Sequence, residues 1–356
     1  MKKIAYLSGT RADFGLMKNV LKILQKDNSY KLLLFVTGMH LLEEFGHTIN
    51  EVKKDFKIME TIQSTYEKDN RLSMALFTSD CLKKISLAFN KYQPDSVLVL
   101  GDRGEQLASA LAAVYLNIPV IHLHGGEISG TIDNKVRNAI SDLATYHLPA
   151  TKKAAESLFK KGFNKKEVFV VGAPGLDELK TLINLPKKQQ IIVLQHPAED
   201  ENQASKQIEI TLKTVCSFKI PTIIIYPNAD AGGRRMIEII RKFSGKFPFI
   251  KTFPSLPRFE FLKLLASSSV LVGNSSLGII EAPSLHLAVV NIGERQKGRE
   301  KSKNIIDVDY NIKKIKEAIK KSLFDTGFKQ QLKRVKNPYG EGQTAQKILA
   351  LIKKFV

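Results

Sequence analysis

One polar turn of the chain holds the groups best suited to bind an anion. In residues 272–281 (VGNSSLGIIE) an apolar strand runs into a tight turn and then into a predicted helix start. Such a turn presents free backbone N–H groups and the positive end of a helix to a phosphate or pyrophosphate. Ser275 and Ser276 add hydroxyl donors, and Glu281 is an acceptor placed where a ribose diol would sit. The turn indicates a nucleotide pocket, although the same residues are also typical of a plain helix cap.

Titratable side chains also follow three predicted strands of the first half. They are Arg11 and Asp13, then Asp102 and Arg103, then His124, Glu127 and Asp133. Because ligands of open α/β sheets lie beyond the carboxyl ends of the strands, these groups should face one cleft. Carboxylates in one cleft repel one another, which should raise at least one pKa enough for acid and base catalysis near neutral pH. That chemistry suits proton abstraction from carbon or addition of water, whereas each residue taken singly could be a helix cap, a core histidine or half of an ion pair.

The second half adds imidazole, amide and guanidinium groups near the polar turn. His196 and Asn228 each follow a predicted strand, and Arg295 and Arg299 follow a third. The two arginines could face a diphosphate or could be solvated charges. The sequence has no serine in a nucleophile elbow, no zinc-binding spacing and no Walker motif. We therefore expect no metal, no cofactor and no nucleoside triphosphatase activity.

Apolar runs of strand length alternate with helical patterns along nearly the whole chain. Strands are predicted at 4–7, 32–36, 97–100, 120–123, 168–171, 191–194, 222–225, 270–272 and 289–292. Helices are predicted at 16–25, 81–92, 106–117, 154–161, 205–218, 234–243, 259–266 and 345–355. Continuous Val, Ile and Leu runs separated by helices indicate parallel sheets covered on both faces, an α/β class. The pattern predicts two doubly wound domains with an active site in the cleft between them.

Breaks in this pattern suggest where the domains end. Gly and Pro at 172–175 and a polar stretch at 186–190 place the linker at 173–188. We expect a first domain at 1–175 that carries the catalytic carboxylates and a second at 188–336 that binds the nucleotide. A terminal helix within 337–356 should pack back toward the first domain.

Length and charge narrow the class of protein. The 356 residues exceed the usual size of a single domain and carry a net charge of +20. Clustered basic residues would indicate nucleic acid, but much of this charge is Lys spread over predicted helix faces, and the excess favours an anionic small substrate. No apolar run is long enough to cross a bilayer, and the first residues enter a predicted strand that is too short for the apolar region of a signal sequence. We therefore expect a cytoplasmic protein without a membrane partner. Cys81 and Cys216 have no metal-ligand spacing around them.

Six segments, in order along nearly the whole chain, resemble the hydrolysing branch of the UDP-N-acetylglucosamine 2-epimerases. They are residues 9–15 (GTRADFG), 101–103 (GDR), 124–133 (HGGEISGTID), 227–232 (PNADAG), 273–276 (GNSS) and 291–299 (NIGERQKGR). The resemblance implies the GT-B architecture, in which two Rossmann-like domains enclose the active site and the second holds most of the nucleotide. It also implies a homodimer or a homotetramer.

The reaction implied by the resemblance has two steps on a UDP-linked 2-acetamido sugar. A base removes the proton at C2 while UDP leaves C1, and water then adds at C1 of the glycal while C2 is protonated from the opposite face. The products would be UDP and free N-acetylmannosamine or its modified analogue. Positions that match catalytic acids are Asp102, Asp133 and Glu127. Positions proposed to contact the nucleotide sugar are Arg11, Asp13, Arg103, His196, Asn228, Leu256 (through its backbone), Ser275, Ser276, Glu281, Arg295 and Arg299.

One position departs from the family pattern. Well-known members carry a catalytic glutamate where this chain has His124. Imidazole titrates near neutrality and could act as an acid or a base, but as a cation it cannot stabilise an oxocarbenium ion. Either the role shifts to Glu127, or the chain acts on another sugar, such as the 2,4-diacetamido-2,4,6-trideoxy sugar that leads to legionaminic acid. Both UDP and GDP remain open as the carrier.

Three alternatives stand beside this interpretation. A GT-B glycosyltransferase would share the polar turn and the cleft, but it would have little use for carboxylates clustered in the first domain. A non-hydrolysing epimerase is closer, although the GTRAD and GGE segments favour the hydrolysing branch. A nucleic-acid-binding protein, from a different class, would show salt-dependent binding to duplex DNA.

Overall fold

The computed structural model describes residues 1–183, 185–198 and 200–356, and in this part of the chain two parallel sheets of six strands form the molecule. The first sheet has the order β3-β2-β1-β4-β5-β6. Its strands are β1 (Lys2–Ser8), β2 (Tyr30–Val36), β3 (Ile58–Thr61), β4 (Ser96–Leu100), β5 (Val120–Leu123) and β6 (Tyr146–Leu148). The helices of this half are α1 (Arg11–Lys26), α2 (Ile49–Asp55), α3 (Arg71–Tyr92), α4 (Gly104–Tyr115), α5 (Asp133–Leu143) and α6 (Lys152–Lys160).

The second sheet has the order β12-β11-β10-β7-β8-β9. Its strands are β7 (Ile191–Leu194), β8 (Thr222–Ile225), β9 (Ile250–Phe253), β10 (Val270–Gly273), β11 (Ala288–Ile292) and β12 (Ile305–Val308). The helices that follow the linker are α7 (Ala204–Cys216), α8 (Gly233–Lys246), α9 (Arg258–Ser267), α10 (Leu277–Ile280), α11 (Ile312–Phe324), α12 (Thr326–Leu332) and α13 (Thr344–Phe355). The α/β class and the two doubly wound sheets predicted from the sequence are confirmed.

The central strands are buried on both faces, which is why they read as unbroken apolar runs. All five residues of β4 and all four of β5, β7 and β10 are buried. Edge strands are less apolar: β3 reads IMET and every residue in it is only partly buried. Strands β3, β6, β9 and β12 were therefore missed by the apolar pattern, because a short edge strand need not be hydrophobic throughout.

The strand predicted at 168–171 is wrong. Val168 makes a single parallel bridge to His147 beside β6, and Phe169 N–H donates to the His147 carbonyl at 2.9 Å. Val171 N–H donates to the carbonyl of Pro149 at 3.1 Å. Because proline has no N–H to return a bond, the ladder cannot continue past this point.

The terminal helix α13 packs on the first half of the molecule. Ile348 and Ile352 are buried in the same core cluster as Val20 and Leu24 of α1. The ring of Phe355 stacks on Tyr146 of β6 at a centroid distance of 3.8 Å. The predicted domain boundaries themselves stay a prediction, and residue 184 of the predicted linker lies outside the described residues.

Both sheets turn the carboxyl ends of their strands toward the same cleft, as the contacts between the halves show. Arg11, after β1, donates to the Pro254 carbonyl after β9 at 2.6 Å, and Arg103, after β4, contacts Asp230 after β8 at 3.2 Å. Within the described residues, none of the helices is long and apolar enough to cross a membrane.

Candidate functional site

The polar turn after β10 is fixed against β7 by one glycine and one amide. Gly273 has φ 142°, and a Cβ at this position would lie 2.1 Å from the Leu194 carbonyl oxygen, so a side chain here would clash with backbone. The Asn274 side chain accepts from the His196 N–H at 2.7 Å and donates to the His196 carbonyl at 2.9 Å. The turn is therefore held in one position beside the end of β7.

The helix that follows this turn is shorter than the sequence suggests. Helix α10 has four residues, and a short 3₁₀ turn at Ala282–Leu285 continues it. A single turn has little macrodipole, so the anion-binding capacity of the turn comes from its N–H and hydroxyl groups. Ser275 and Ser276 line the cavity in front of it, hereafter the turn cavity.

Most of the predicted nucleotide contacts meet at the turn cavity. It is lined by Arg11, His196, Asn228, Leu256, Ser275, Ser276, Glu281 and Arg295. These residues come from both halves of the chain and follow six different strands, so the sequence pattern alone could not show that they share one cavity.

His196 is a neutral imidazole in this environment. Burial lowers its pKa to about 3, and the nearby cation of Arg295 acts in the same direction. Its Nδ1 accepts a hydrogen bond from the Asn228 N–H at 3.2 Å. The single proton of the neutral ring must then lie on Nε2, which makes His196 a hydrogen-bond donor at the turn cavity.

Glu281 is held by a residue that the sequence analysis missed. The Arg258 guanidinium pairs with one carboxylate oxygen of Glu281 and lies 3.3 Å from Glu178. Burial raises the pKa of Glu281, and Arg258 opposes this rise. Glu281 is also part of the lining of the turn cavity. Arg258 directly follows the loop that contains Leu256, which was the only signal in the sequence for this region.

A second cavity, of about 390 Å³, contains the two aspartates and is called the carboxylate cavity here. Asp102 and Asp133 line it, as does Arg103. Arg295 lines both this cavity and the turn cavity, and its guanidinium lies 3.4 Å from the Asp133 carboxylate. Arg295 therefore marks the junction of the two cavities.

Asp102 is paired with a buried arginine. The Arg137 guanidinium contacts the Asp102 carboxylate and also donates to the Glu127 carbonyl at 2.9 Å. Arg137 is only 1% exposed, and burial, together with the nearby Arg299, holds its pKa well below the usual value. The sequence analysis did not name Arg137 as a site residue. Its position, one helical turn after Asp133, is the signal that places it at the site.

Glu127 and His124 lie outside the carboxylate cavity. Glu127 lines a separate side cavity with Arg299, which pairs with one of its oxygens, while His124 Nδ1 lies 3.0 Å from the other. Burial raises the pKa of Glu127, but Arg299 and then His124 outweigh this, so the pKa lies below its usual value. The second nitrogen of Arg299 is 4.0 Å from Asp102. Glu127 and Asp102 are thus linked through Arg299.

Two further predicted contacts have partners within the protein. Arg103 contacts Glu105 at 3.0 Å and Asp230 at 3.2 Å, so it ties the two halves together at the edge of the carboxylate cavity. Asp13 caps helix α1, where its carboxylate accepts from the Gly9 and Thr10 N–H groups at 3.0 and 2.9 Å. Asp13 lies among these backbone groups, outside the lining of the three cavities described here.

The described residues contain no group of three or more His, Cys, Asp or Glu side chains arranged to hold a metal ion.

The family model for UDP-N-acetylglucosamine 2-epimerase matches residues 22–353. The chain belongs to the UDP-N-acetylglucosamine 2-epimerase family.

Individual relatives in this epimerase family agree with that placement. The chain is 40% identical to a Legionella pneumophila UDP-N,N'-diacetylbacillosamine 2-epimerase (hydrolyzing), over 99% of this chain and 96% of the relative. It is 33% identical to a Campylobacter jejuni GDP/UDP-N,N'-diacetylbacillosamine 2-epimerase (hydrolyzing), over 87% of this chain and 85% of the relative. The crystal structure of a Neisseria meningitidis UDP-GlcNAc 2-epimerase bound to UDP-GlcNAc is similar in fold, with a TM-score of 0.83, 18% identity and coverage of 99% and 100% of the two chains. That likeness confirms the expected GT-B architecture.

Proposed function

We propose that this member of the epimerase family is a hydrolysing 2-epimerase, which converts a UDP-linked 2-acetamido sugar into UDP and the free manno-configured sugar. One observation carries the proposal: Arg295 lines both the turn cavity and the carboxylate cavity. A diphosphate at this arginine would place the nucleoside in the turn cavity and the sugar beside Asp102 and Asp133. The names of the two relatives support the hydrolysing branch.

The turn cavity would bind the nucleoside diphosphate. Ser275, Ser276 and the Nε2–H of His196 are neutral donors for phosphate oxygens, and Arg295 supplies the positive charge. The Glu281 carboxylate would accept from a ribose hydroxyl, with Arg258 fixing its orientation. The backbone near Leu256 would lie on the side of the base. We propose uracil as that base; competition between UDP and GDP for the site tests this.

The first chemical step would be elimination. One aspartate of the carboxylate cavity takes the proton from C2, the electron pair of that C–H bond forms the C1–C2 double bond, and the C1–O bond to UDP breaks. The negative charge that appears on the leaving diphosphate is stabilised by Arg295, which is already at the junction. The product of this step is a glycal and enzyme-bound UDP.

The second step would be hydration of the glycal. Water adds its oxygen to C1 while C2 receives a proton on the face opposite to the one that lost it, so the configuration at C2 inverts. We assign one aspartate to each face. Asp102 is held by Arg137 and Asp133 by Arg295. Glu127 would act as a positioning residue that holds Arg299 near Asp102.

A product analysis tests the hydrolysing assignment. Incubation of the protein with UDP-N-acetylglucosamine, and separately with its 2,4-diacetamido-2,4,6-trideoxy analogue, should release UDP and an equal amount of free reducing sugar from at least one of them. A non-hydrolysing epimerase would instead give a UDP-linked sugar of changed configuration and no free UDP. A glycosyltransferase would leave both substrates intact until an acceptor is supplied.

We further propose a homodimer or homotetramer in the cytoplasm. Leu87 on α3 and Val114 and Tyr115 on α4 are apolar residues that are 65%, 43% and 87% exposed on helices that pack together, which supports burial against a second copy. Light scattering coupled to size-exclusion chromatography tests the assembly, and fractionation of cells tests the location. A monomer at micromolar concentration would contradict the first proposal.

A further inference from the structure

His122 is a buried histidine that the proposed reaction does not use. It lies in β5, and it is outside the lining of the turn cavity, the carboxylate cavity and the side cavity beside Glu127. A polar ring among buried apolar strands costs free energy unless its nitrogens are hydrogen-bonded. The partners of the two ring nitrogens therefore show what this histidine does.

The two ring nitrogens of His122 bond to two different elements. Nε2 lies 2.8 Å from the Gly101 carbonyl oxygen, and Nδ1 lies 3.1 Å from the Ser141 hydroxyl. Burial lowers the pKa of His122 to about 3, so the ring is neutral and carries one proton. A carbonyl oxygen can only accept, so this proton lies on Nε2 and the Ser141 hydroxyl donates to Nδ1. A Cβ at Gly125 would lie 2.9 Å from Nδ1 and 3.0 Å from the Ser141 oxygen, so glycine there leaves room for this bond.

The bond to Gly101 fixes the peptide group directly before Asp102. Gly101 has φ 74°, a conformation that favours glycine, and its N–H donates to the Leu123 carbonyl at 2.9 Å. Its carbonyl accepts from His122. Both polar backbone groups of Gly101 are therefore held by β5, and with them the turn that carries Asp102.

The bond to Ser141 holds helix α5, which carries Asp133. Ser141 is buried and lies two turns after Asp133 and one turn after Arg137, so the three side chains share one face of the helix. A rotation or shift of α5 would move Asp133, and it would also move Arg137, which contacts Asp102. His122 thus joins the segments that carry the two aspartates.

We propose that His122 is a positioning residue, which sets the position of Asp102 relative to Asp133 by tying the turn after β4 to helix α5. The inference rests on the proposed function, in which these two aspartates transfer protons at C2 of the sugar. Each aspartate also pairs with an arginine, but a long side chain has many rotamers and can follow a carboxylate that moves. The short bonds of the enclosed imidazole hold the turn and the helix themselves.

His122→Phe tests the inference because it keeps a buried ring and removes both hydrogen bonds. The kcat for UDP release, on whichever of the two sugar substrates the wild type hydrolyses, should fall by about 100-fold, since a displacement of about 1 Å can have this cost. The affinity for UDP and the number of UDP sites, measured by isothermal titration calorimetry, should not change, because His122 does not line the turn cavity. A protein that is merely destabilised would lose UDP sites in proportion to turnover.

Ser141→Ala removes only the bond to α5, and it keeps the inference testable should His122→Phe fail to fold. Its kcat should fall by about fivefold, the rate equivalent of one neutral hydrogen bond, with UDP binding again unchanged. The double variant should be no slower than His122→Phe alone, because the bond that the second substitution removes is already absent.

His147→Phe is the matched control. His147 lies opposite His122 on the neighbouring strand β6 and is also buried, but its Nδ1 makes no hydrogen bond within the described residues. Its ring packs on Phe163, which belongs to neither the turn of Asp102 nor α5. The same substitution in the same sheet should therefore leave kcat close to that of the wild type.

The outcomes separate this inference from the proposed function. Unchanged kcat in His122→Phe and Ser141→Ala, an equal loss in His147→Phe, or a parallel loss of UDP sites would overturn the inference while the hydrolysing activity stands. UDP release from neither substrate by the folded wild type would overturn both. The result we expect is a loss of kcat with normal UDP binding in the His122 and Ser141 variants and not in the control.

Discussion

The first sheet and the second sheet have the same strand order when each is counted from its own first strand, but their strand ends carry different chemistry. After β4 and β5 the chain places carboxylates that are held by buried arginines, as in the pair of Asp102 and Arg137. After β7 and β10 it places neutral groups that bond to one another, as in the double hydrogen bond of Asn274 with the His196 backbone.

This difference assigns proton transfer to the first half of the cleft and nucleotide binding to the second half in our proposal. Neutral hydrogen bonds fix the polar turn after β10, and the ion pair of Arg258 with Glu281 lies elsewhere in the lining of the same cavity. In the carboxylate cavity, charge pairs hold the two aspartates in place: Asp102 contacts Arg137 and Asp133 contacts Arg295. Substitutions in the first half should therefore reduce turnover, and substitutions in the second half should reduce nucleotide binding.

The largest effect is expected from Asp102→Asn and Asp133→Asn. Loss of a group that transfers a proton should reduce kcat by about 100- to 10,000-fold. The affinity for UDP, measured by isothermal titration calorimetry, should stay within a few fold because neither aspartate lines the turn cavity. Equal losses of turnover and of UDP binding would show instead that these residues are structural.

Glu127→Gln should lower kcat by about 100-fold. Arg299 would no longer be held near Asp102, and a displacement of about 1 Å in a catalytic arrangement can lower the rate by this factor. The pKa of Glu127 lies below its usual value, so its pair with Arg299 stabilises the fold above the unfolded pKa, and this contribution is lost as the pH falls through the lower, folded pKa. Thermal melting as a function of pH should therefore show a smaller loss of stability in acid for the variant than for the wild type. An identical pH dependence would contradict the pairing.

Arg295→Ala tests the other half of the comparison. The variant should bind UDP about 10- to 100-fold more weakly, because it loses a charge-assisted hydrogen bond to phosphate. Arg295→Lys keeps the charge and should recover part of the affinity, which separates the role of the charge from that of the fork geometry. Unchanged UDP binding in Arg295→Ala would remove this residue from the proposed junction.

The smallest effect concerns the carboxylate that caps α1, Asp13. Burial and the neighbouring Glu105 raise its pKa to about 7. For a raised pKa, the stability contribution is fully present below the unfolded pKa and is lost as the pH rises through the folded pKa, here between about 4 and 7. The melting temperature of Asp13→Asn should therefore gain on that of the wild type as the pH rises through this interval. A constant difference would contradict the raised pKa.

Much of the fold could be predicted from the sequence, because buried parallel strands appear there as unbroken apolar runs. Strands β5, β7 and β8 begin and end at the predicted residues, and most of the eight predicted helices match to within a few positions. No bounds were predicted for helices α2, α5, α10, α11 and α12. The failures have local causes. Strand β3 was missed because it is a half-buried edge strand. The strand predicted at 168–171 does not form because pairing of this segment stops at Pro149. Apolar character alone decides neither case.

The candidate site was predictable as a set of residues but not as an arrangement. The sequence indicates which residues follow strands, and the structure places Arg11, Asp102, Asp133 and Arg295 together at the cleft. The sequence could not indicate which of the charged side chains form ion pairs with one another. Arg137 lies within α5 and Arg258 begins α9. Both were missed as site residues because an arginine in a helix gives no sequence signal until its partner across the fold is known.

Proton NMR of the reaction in D2O tests the central claim most directly. The account predicts that the free sugar released with UDP carries deuterium at C2 and has the manno configuration, because the original proton leaves one face and a solvent-derived one arrives on the other. Free sugar that keeps its original C2 proton and configuration would contradict the account, since it would show simple hydrolysis of the bond to UDP without chemistry at C2.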